Sequence, residues 1–134
     1  MISTANYSQK LNDAGIRPSV QRVAIYAYLC QHPVHPDIET IYADLAPDYA
    51  TLSKTTVYNT LKLFEAKKLV QSIKIEDDKL RFDADISEHK HFKCLKCCKI
   101  IDIFDNKKNT PELPEGFTQS KVQTYIWGLC PDCQ

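Results

Sequence analysis

Two closely spaced cysteine pairs constrain this chain more than any other feature. Cys94 and Cys97 form one Cys-x-x-Cys pair, Cys130 and Cys133 form another, and 32 residues separate the pairs. Each Cys-x-x-Cys turn can direct two thiolates at one ion, and two turns complete the closed tetrahedron of a structural zinc site. The spacing therefore predicts that these four cysteines bind Zn²⁺, which would hold the second half of the chain in its fold.

Redox chemistry is the alternative use of such cysteine pairs. Neither pair lies in the strand–helix–strand context of a thioredoxin-like protein, so we expect no enzyme. Of the other two cysteines, we expect Cys30 to be a small buried apolar residue. Cys98 occupies a position where glycine would suit a tight turn better, and it could also be an alternative ligand or an oxidisable thiol.

The start of the chain and its apolar runs indicate neither export nor membrane insertion. Residues 1–10 lack the pattern of a signal peptide, and the longest apolar run, at 23–30, is too short to span a bilayer. We therefore expect a cytoplasmic protein without a membrane partner. In that reducing compartment, paired thiols more often bind metal or do redox chemistry than form permanent disulfides.

Hydrophobic periodicity predicts four helices and a β-hairpin in the first half of the chain. Gly15 would cap the first helix, Arg17-Pro18 would precede the second, and Ser53 is a good N-cap for the fourth. The expected helices end before residue 15 and run over 19–31, 37–46 and 54–67, and the expected strands run over 69–75 and 79–82. Together these elements predict a winged helix-turn-helix.

Short strands are expected to build the second half of the chain. Their patterns place them at 89–94, 99–104 and 122–129, with a proline-interrupted stretch at 106–116 between the last two. The predicted fold class is therefore α+β. A winged-helix domain at 1–83 would precede a small α/β domain at 84–134, which carries the four-cysteine zinc site.

The fourth helix carries a polar face that suits contacts with DNA. Thr55, Tyr58, Asn59 and Lys62 gather opposite the apolar side, and Lys54 adds charge at the helix start. Their hydroxyl, amide and ammonium groups are those that meet phosphates and base edges in a major groove. The alternative is the solvated face of an ordinary surface helix. The hairpin that follows and the small threonines at the helix entry favour DNA binding.

Total charge gives no support to nonspecific nucleic-acid binding, because 17 basic residues balance 17 acidic ones. The charge is uneven along the chain, however. Residues 1–75 carry eight Lys or Arg and six Asp or Glu, a net charge of +2, whereas residues 76–134 carry nine and eleven, a net charge of −2. Arg17 and Arg22, near the start of the second helix, could contact phosphate or a minor groove.

Histidines and aspartates indicate a second metal site. His89 and His91 lie two residues apart, so both point to one side of a strand. Asp83 after the hairpin, Asp102 on the next strand and His35 before the third helix are candidate partners. A lone His-x-His is more often a pair of surface histidines that bind no metal. This concentration of nitrogen and oxygen donors, however, suits Mn²⁺ or Fe²⁺. With His35 included, the ion would bridge the two halves and favour one arrangement of them.

Together these motifs resemble the ferric uptake regulator (Fur) superfamily from about residue 14 to residue 133. The resemblance is carried by His35-Pro36, Ile41-Tyr42, the 55–61 segment TTVYNTL, Arg81-Phe82-Asp83, His89-x-His91-Phe92-x-Cys94-x-x-Cys97, Ile100-Ile101-Asp102 and Gly128-Leu129-Cys130-x-x-Cys133. Aspartates at 83 and 102 resemble the peroxide-sensing PerR group, since glutamates are usual in the iron-sensing group.

The resemblance implies a homodimeric, metal-dependent repressor with a C-terminal dimerisation domain, bound to pseudo-palindromic double-stranded operator DNA. It implies that structural Zn²⁺ is bound by Cys94, Cys97, Cys130 and Cys133, that regulatory Fe²⁺ or Mn²⁺ is bound by His35, Asp83, His89, His91 and Asp102, and that DNA is contacted by Arg17, Tyr58 and Asn59. In PerR-type members peroxide reacts at ferrous iron and oxidises a ligand histidine, here His35 or His91.

Two alternatives share parts of this arrangement. An iron- or manganese-responsive regulator of metal uptake would use the same sites without a response to peroxide. A zinc-stabilised protein-interaction module would keep the zinc site without binding DNA. If salt steeply weakened the binding of the protein to DNA, this would indicate phosphate contacts and exclude the protein-interaction module.

Overall fold

The computed structural model describes residues 4–105 and 111–134, so part of the proline-interrupted stretch, 106–110, lies outside the described residues. The chain forms two compact units. The first ends at Ile86 and the second begins at Ser87. Among the helices in the described ranges, none has the length and apolar character needed to cross a membrane.

Four helices make up most of the first unit, as the periodicity predicts. They are α1 (Thr4–Asp13), α2 (Val20–Gln31), α3 (Ile38–Leu45) and α4 (Lys54–Ala66), with a short 3₁₀ turn at Ala46–Asp48. The side chains of Ser19, Asp37 and Ser53 cap α2, α3 and α4 by accepting hydrogen bonds from backbone N–H groups in the first turn of each helix. Such caps satisfy donors that a helix start leaves without partners.

Two helices end with a residue in the left-handed region of backbone conformation. Gly15 has φ 79° after α1, where the next N–H donates to the Leu11 carbonyl at 2.8 Å. Lys68 has φ 59° after α4, where the next N–H donates to the Phe64 carbonyl at 2.9 Å. Glycine is the usual residue at such a helix end, so the sequence signals the first turn and not the second.

The core of the first unit lies between the apolar faces of the helices and the hairpin. Val57, Leu61 and Phe64 of α4 are fully buried, as the sequence predicts. On α2 the row that contains Ile25 and Leu29 is buried, whereas the row of Val23, Ala27 and Cys30 packs against the core but is only partly buried. Cys30 therefore behaves as a small apolar side chain at the core margin.

The hairpin consists of β1 (Gln71–Ile73) and β2 (Arg81–Asp83), which pair antiparallel with Ser72 opposite Phe82. Both strands are shorter than the predicted ones. The Leu69 N–H is used to cap the end of α4, and a wide turn separates the two strands. The loop before α3 lies along the other edge of β2. There the Phe82 N–H donates to the Pro36 carbonyl at 3.1 Å, and Asp37 forms a bridge with Arg81.

The second unit is built on a three-stranded sheet. Its strands are β3 (Lys90–Cys94), β4 (Ile100–Ile103) and β5 (Tyr125–Gly128), in the spatial order β4-β3-β5. Strand β3 pairs antiparallel with β4 and parallel with β5, so Cys94 at the end of β3 lies beside Gly128 at the end of β5. A 3₁₀ turn, Pro131–Cys133, follows β5. The parallel pairing thus brings the ends of distant segments together.

Candidate metal centres and candidate DNA-contacting face

The sheet of the second unit brings all four Cys-x-x-Cys sulfurs together. Cys94 ends β3, Cys97 follows in the turn, Cys130 comes after β5, and Cys133 closes the 3₁₀ turn. Their sulfur atoms lie within 4.8 Å of one another. The Sγ atoms of Cys97 and Cys130 are 3.8 Å apart. Four soft sulfur donors converging from two turns are the donor set of a closed zinc site.

Hydrogen bonds to the sulfurs set the acidity of the cysteine cluster. Backbone donors, first the Cys130 N–H at 3.4 Å, lower the pKa of the Cys94 thiol to about 5. In contrast, the pKa of the Cys133 thiol rises to about 12, mainly because of its hydrogen bond with the Cys130 sulfur and because of burial. One member of the cluster is thus ready to ionise while another retains its proton. A dication supplies the charge that lets all four ionise, and the donor set fits Zn²⁺.

Cys98 lies next to the cluster but is not one of its four sulfurs. Its N–H donates to the Cys94 carbonyl at 3.0 Å, and its φ is 66°. A left-handed residue in this turn agrees with the expectation that glycine would suit the position better. The side chain is exposed to solvent.

In the first unit, two predicted regulatory ligands face each other. His35 Nε2 lies 3.4 Å from Asp83 Oδ2, and both side chains are buried, at 3% and 6% exposure. Asp83 ends β2, and His35 lies in the loop along the edge of that strand. The other carboxylate oxygen of Asp83 accepts the Asp85 N–H at 2.9 Å, which fixes the carboxylate orientation. Nitrogen and oxygen donors therefore form a buried pair.

In the second unit, the other three predicted ligands lie together. His91 on β3 is directly opposite Asp102 on β4, and their Nε2 and Oδ1 atoms are 3.3 Å apart. His89 Nε2 is 3.5 Å from the same Asp102 oxygen. His89 Nδ1 lies 2.7 Å from the Ser87 carbonyl, which can only accept, so this nitrogen carries the proton. That tautomer leaves Nε2 as the donor atom for a metal.

The predicted DNA-contacting residues of α4 are all exposed along one face. They are Lys54, Thr55, Tyr58, Asn59 and Lys62. Two of the cations also have partners within the unit. Lys54 Nζ lies 2.7 Å from Glu39, and Lys62 Nζ lies 3.6 Å from Glu65 and 5.8 Å from the centre of the Tyr58 ring. Helical spacing accounts for the two Lys62 contacts, which join residues three and four positions apart, whereas no local pattern indicated the contact of Lys54 with Glu39.

The start of α2 continues this polar surface. A groove of about 280 Å³ is lined by Ser19 and Arg22 of the α2 start and by Asn59 of α4. Arg17 is exposed, and its carbonyl accepts a hydrogen bond from Arg22 Nη1 at 2.9 Å. The two helices together therefore present basic and amide groups to solvent.

Sequence reasoning also missed the contacts that hold His35. Arg81 of β2 forms an ion pair with Glu76 and donates from Nη1 to the His35 carbonyl at 3.0 Å. The three residues span 46 positions of sequence, and neither hydrophobic periodicity nor ligand spacing reports such a contact.

Comparisons with known proteins agree with this arrangement of elements. A profile of the ferric uptake regulator family matches residues 13–126. The peroxide-responsive repressor PerR of Staphylococcus aureus (strain Mu50) is 36% identical over 128 residues, which cover 92% of this chain and 86% of that protein.

Solved structures give the same result. PerR from Streptococcus pyogenes, described for peroxide sensing and gene regulation, is 29% identical with a TM-score of 0.56, over 100% of this chain and 95% of that one. The ferric uptake regulator of Pseudomonas aeruginosa with manganese shares the fold, with a TM-score of 0.74 at 24% identity over 93% and 98% of the two chains. From the extent of the profile match and the identity to PerR, the chain belongs to the ferric uptake regulator family.

Proposed function

We propose that this protein is a metal-dependent transcriptional repressor that senses peroxide through a regulatory Fe²⁺ or Mn²⁺ site. One observation carries the proposal: each of the five predicted regulatory ligands faces another member of the set within its own unit. The two carboxylates are aspartates, and the chain is 36% identical to a peroxide-responsive repressor. Under this proposal the protein is a regulator and not an enzyme.

Structural Zn²⁺ is assigned to Cys94, Cys97, Cys130 and Cys133. The assignment rests on four converging sulfurs and on the ready ionisation of Cys94. Because Cys94 ends β3, Cys97 lies in the turn after it, and the other two cysteines follow β5, the ion would secure the ends of both strands. We therefore assign zinc a role in folding, separate from sensing.

The regulatory ion is assigned to His35 and Asp83 from the first unit and to His89, His91 and Asp102 from the second. Imidazole and carboxylate donors suit Fe²⁺ and Mn²⁺ better than a thiolate site would. An ion that takes ligands from both units favours the arrangement in which all the ligands reach it. Bound Fe²⁺ would supply the reducing chemistry for peroxide, and His35 and His91 are the residues we expect to be oxidised.

Operator DNA is the proposed partner of α4. The exposed face with Thr55, Tyr58 and Asn59 would enter the major groove, while Lys54, Lys62 and Arg17 would meet phosphates or an adjacent minor groove. A homodimer presents two such helices related by a two-fold axis. The matching DNA site would therefore be pseudo-palindromic.

The decisive experiment follows histidine chemistry and DNA release in one sample. Zinc-loaded protein is given Fe²⁺ and operator DNA, then treated with peroxide, and its peptides are analysed by mass spectrometry. We expect one added oxygen atom on the peptide with His35 or His91, together with loss of DNA binding. The Mn²⁺-loaded protein is the matched control and should stay bound and unmodified. Unmodified histidines with metal-dependent DNA binding would instead identify an iron- or manganese-responsive regulator.

A further inference from the structure

A partly buried ion pair holds the backbone of one proposed regulatory ligand. Glu76 lies in the turn of the hairpin and Arg81 lies on β2, and their side chains are 7% and 19% exposed. Arg81 Nε and Nη2 donate to the two Glu76 oxygens, and Arg81 Nη1 donates to the His35 carbonyl at 3.0 Å. We propose that Arg81, oriented by Glu76, is a positioning residue that presents His35 to the regulatory metal.

His35 needs such support because of its backbone conformation. Its φ is 58°, in the left-handed region that is uncommon for any residue other than glycine, and it precedes Pro36, which restricts it further. A residue in this region keeps its conformation only when its surroundings impose it. The imidazole position therefore depends on whatever fixes this loop.

The geometry of β2 explains how Arg81 supplies that support. Residues two apart on a strand point to the same side, so Arg81 and Asp83 face the same way. Arg81 contacts the carbonyl of His35, and Asp83 contacts its imidazole at 3.4 Å. One strand thus fixes both the backbone and the ring of the same histidine.

The chemistry of arginine suits this task. A guanidinium carries five donors in a rigid plane, so it can pair with a carboxylate through one edge and still donate to a carbonyl from another nitrogen. Lysine keeps the charge but lacks the planar fork. The Glu76 carboxylate accepts hydrogen bonds from two nitrogens of Arg81, and this pairing fixes the direction of the guanidinium.

The proposal rests on the proposed function, because it assumes that His35 binds the regulatory ion. Groups that orient a ligand from behind typically change metal affinity about 10- to 100-fold when they are lost. We therefore expect Arg81→Lys to weaken Mn²⁺ binding by about that factor while zinc content stays unchanged.

The test is isothermal titration of zinc-loaded full-length protein with Mn²⁺ alone. The variants are Arg81→Lys, His35→Ala and their combination, with Lys79→Gln, an exposed cation of the same hairpin, as the control. If Arg81 acts through His35, Arg81→Lys changes the Mn²⁺ affinity by less than about twofold in the His35→Ala background. A merely structural arginine would instead weaken binding equally in both backgrounds. The control should bind Mn²⁺ as the wild type does.

A second variant covers the case in which Arg81→Lys does not fold. The double variant Glu76→Gln with Arg81→Gln removes both charges of the pair, so neither charge remains without the other. It should show the same loss of Mn²⁺ affinity. Wild-type affinity in either folded variant overturns the role of Arg81 and leaves the proposed function intact. Failure of the wild type to bind Mn²⁺ overturns the proposed function and the positioning role with it.

Discussion

The backbone N–H of Cys130 donates a hydrogen bond to the sulfur of Cys94, 3.4 Å away and 36 positions earlier in the chain. The contact joins the two cysteine turns directly. It also helps to lower the pKa of the Cys94 thiol to about 5, which favours the thiolate form that binds a cation. Loss of Cys94 should therefore remove both a sulfur of the cluster and the contact between the two turns.

Replacing Cys94 by serine should remove zinc and unfold the second unit. A structural zinc site contributes folding free energy on the order of 10 kcal/mol, which a sheet of three short strands cannot replace. Metal analysis and hydrogen exchange of the 87–134 segment would measure both effects. Cys98→Ser is the matched control, since its sulfur lies outside the cluster, and it should retain zinc. If the Cys94→Ser protein retained zinc and its 87–134 segment remained protected from hydrogen exchange, the assignment of Cys94 as a zinc ligand would be contradicted.

Replacing His35 by alanine should weaken metal-dependent DNA binding while leaving zinc content unchanged. The substitution removes a proposed ligand of the regulatory ion and keeps the four cysteines. DNA affinity measured with and without Mn²⁺ would show whether the Mn²⁺-dependent gain is lost. His32→Ala provides the control, because His32 is an exposed histidine of the same loop. Equal Mn²⁺-dependent gains in His35→Ala and wild type would show that the ion does not use His35.

Replacing Lys62 by glutamine should reduce the salt dependence of operator binding. Each phosphate contact contributes about 0.9 to the slope of log affinity against log salt, so the loss of one contact per protomer should lower the slope by about that amount for each Lys62 in the complex. The slope is measured by titration over a range of salt concentrations. Lys96→Gln, an exposed lysine between Cys94 and Cys97, should leave it unchanged. An unaltered slope for Lys62→Gln would remove Lys62 from the phosphate-contacting set.

Replacing Cys98 by glycine should raise the thermal stability of the zinc-loaded protein. Its φ of 66° costs an L-residue about 1 kcal/mol that glycine does not incur, and its exposed side chain contributes little packing. Scanning calorimetry would show a higher Tm. Lys96→Gly, in the same turn but without a positive φ, should lower it. A lower Tm for Cys98→Gly would mean that the thiol has a stabilising contact.

The features that the sequence predicted are those that short-range chemistry determines. Ser53 caps α4 through its own side chain, and Cys98, directly after Cys97, takes the left-handed conformation for which glycine is better suited. His91 and Asp102 face each other because alternation along strands fixes their side. In each case the residues that decide the structure are close in sequence or lie in strands that neighbour along the chain.

The features that the sequence did not predict depend on distant segments. Nothing in the strand patterns indicated that β3 and β5 pair parallel, since the same alternation fits either direction. The contact of Arg81 with the His35 carbonyl joins a strand to a loop 46 positions away. The left-handed conformation of Lys68 was also missed, because lysine carries no signal for it.

The parallel pairing of β3 with β5 also governs the order in which the molecule can fold. Neighbouring helices form the first unit largely through contacts close in sequence, which assemble quickly. The second unit must first bring Cys94 and Cys130 together across a long loop, and that closure has an entropic cost before any contact offsets it. We therefore expect newly made chains to acquire the first unit early and to wait for metal before completing the second. The supply of zinc would then set how fast competent protein accumulates.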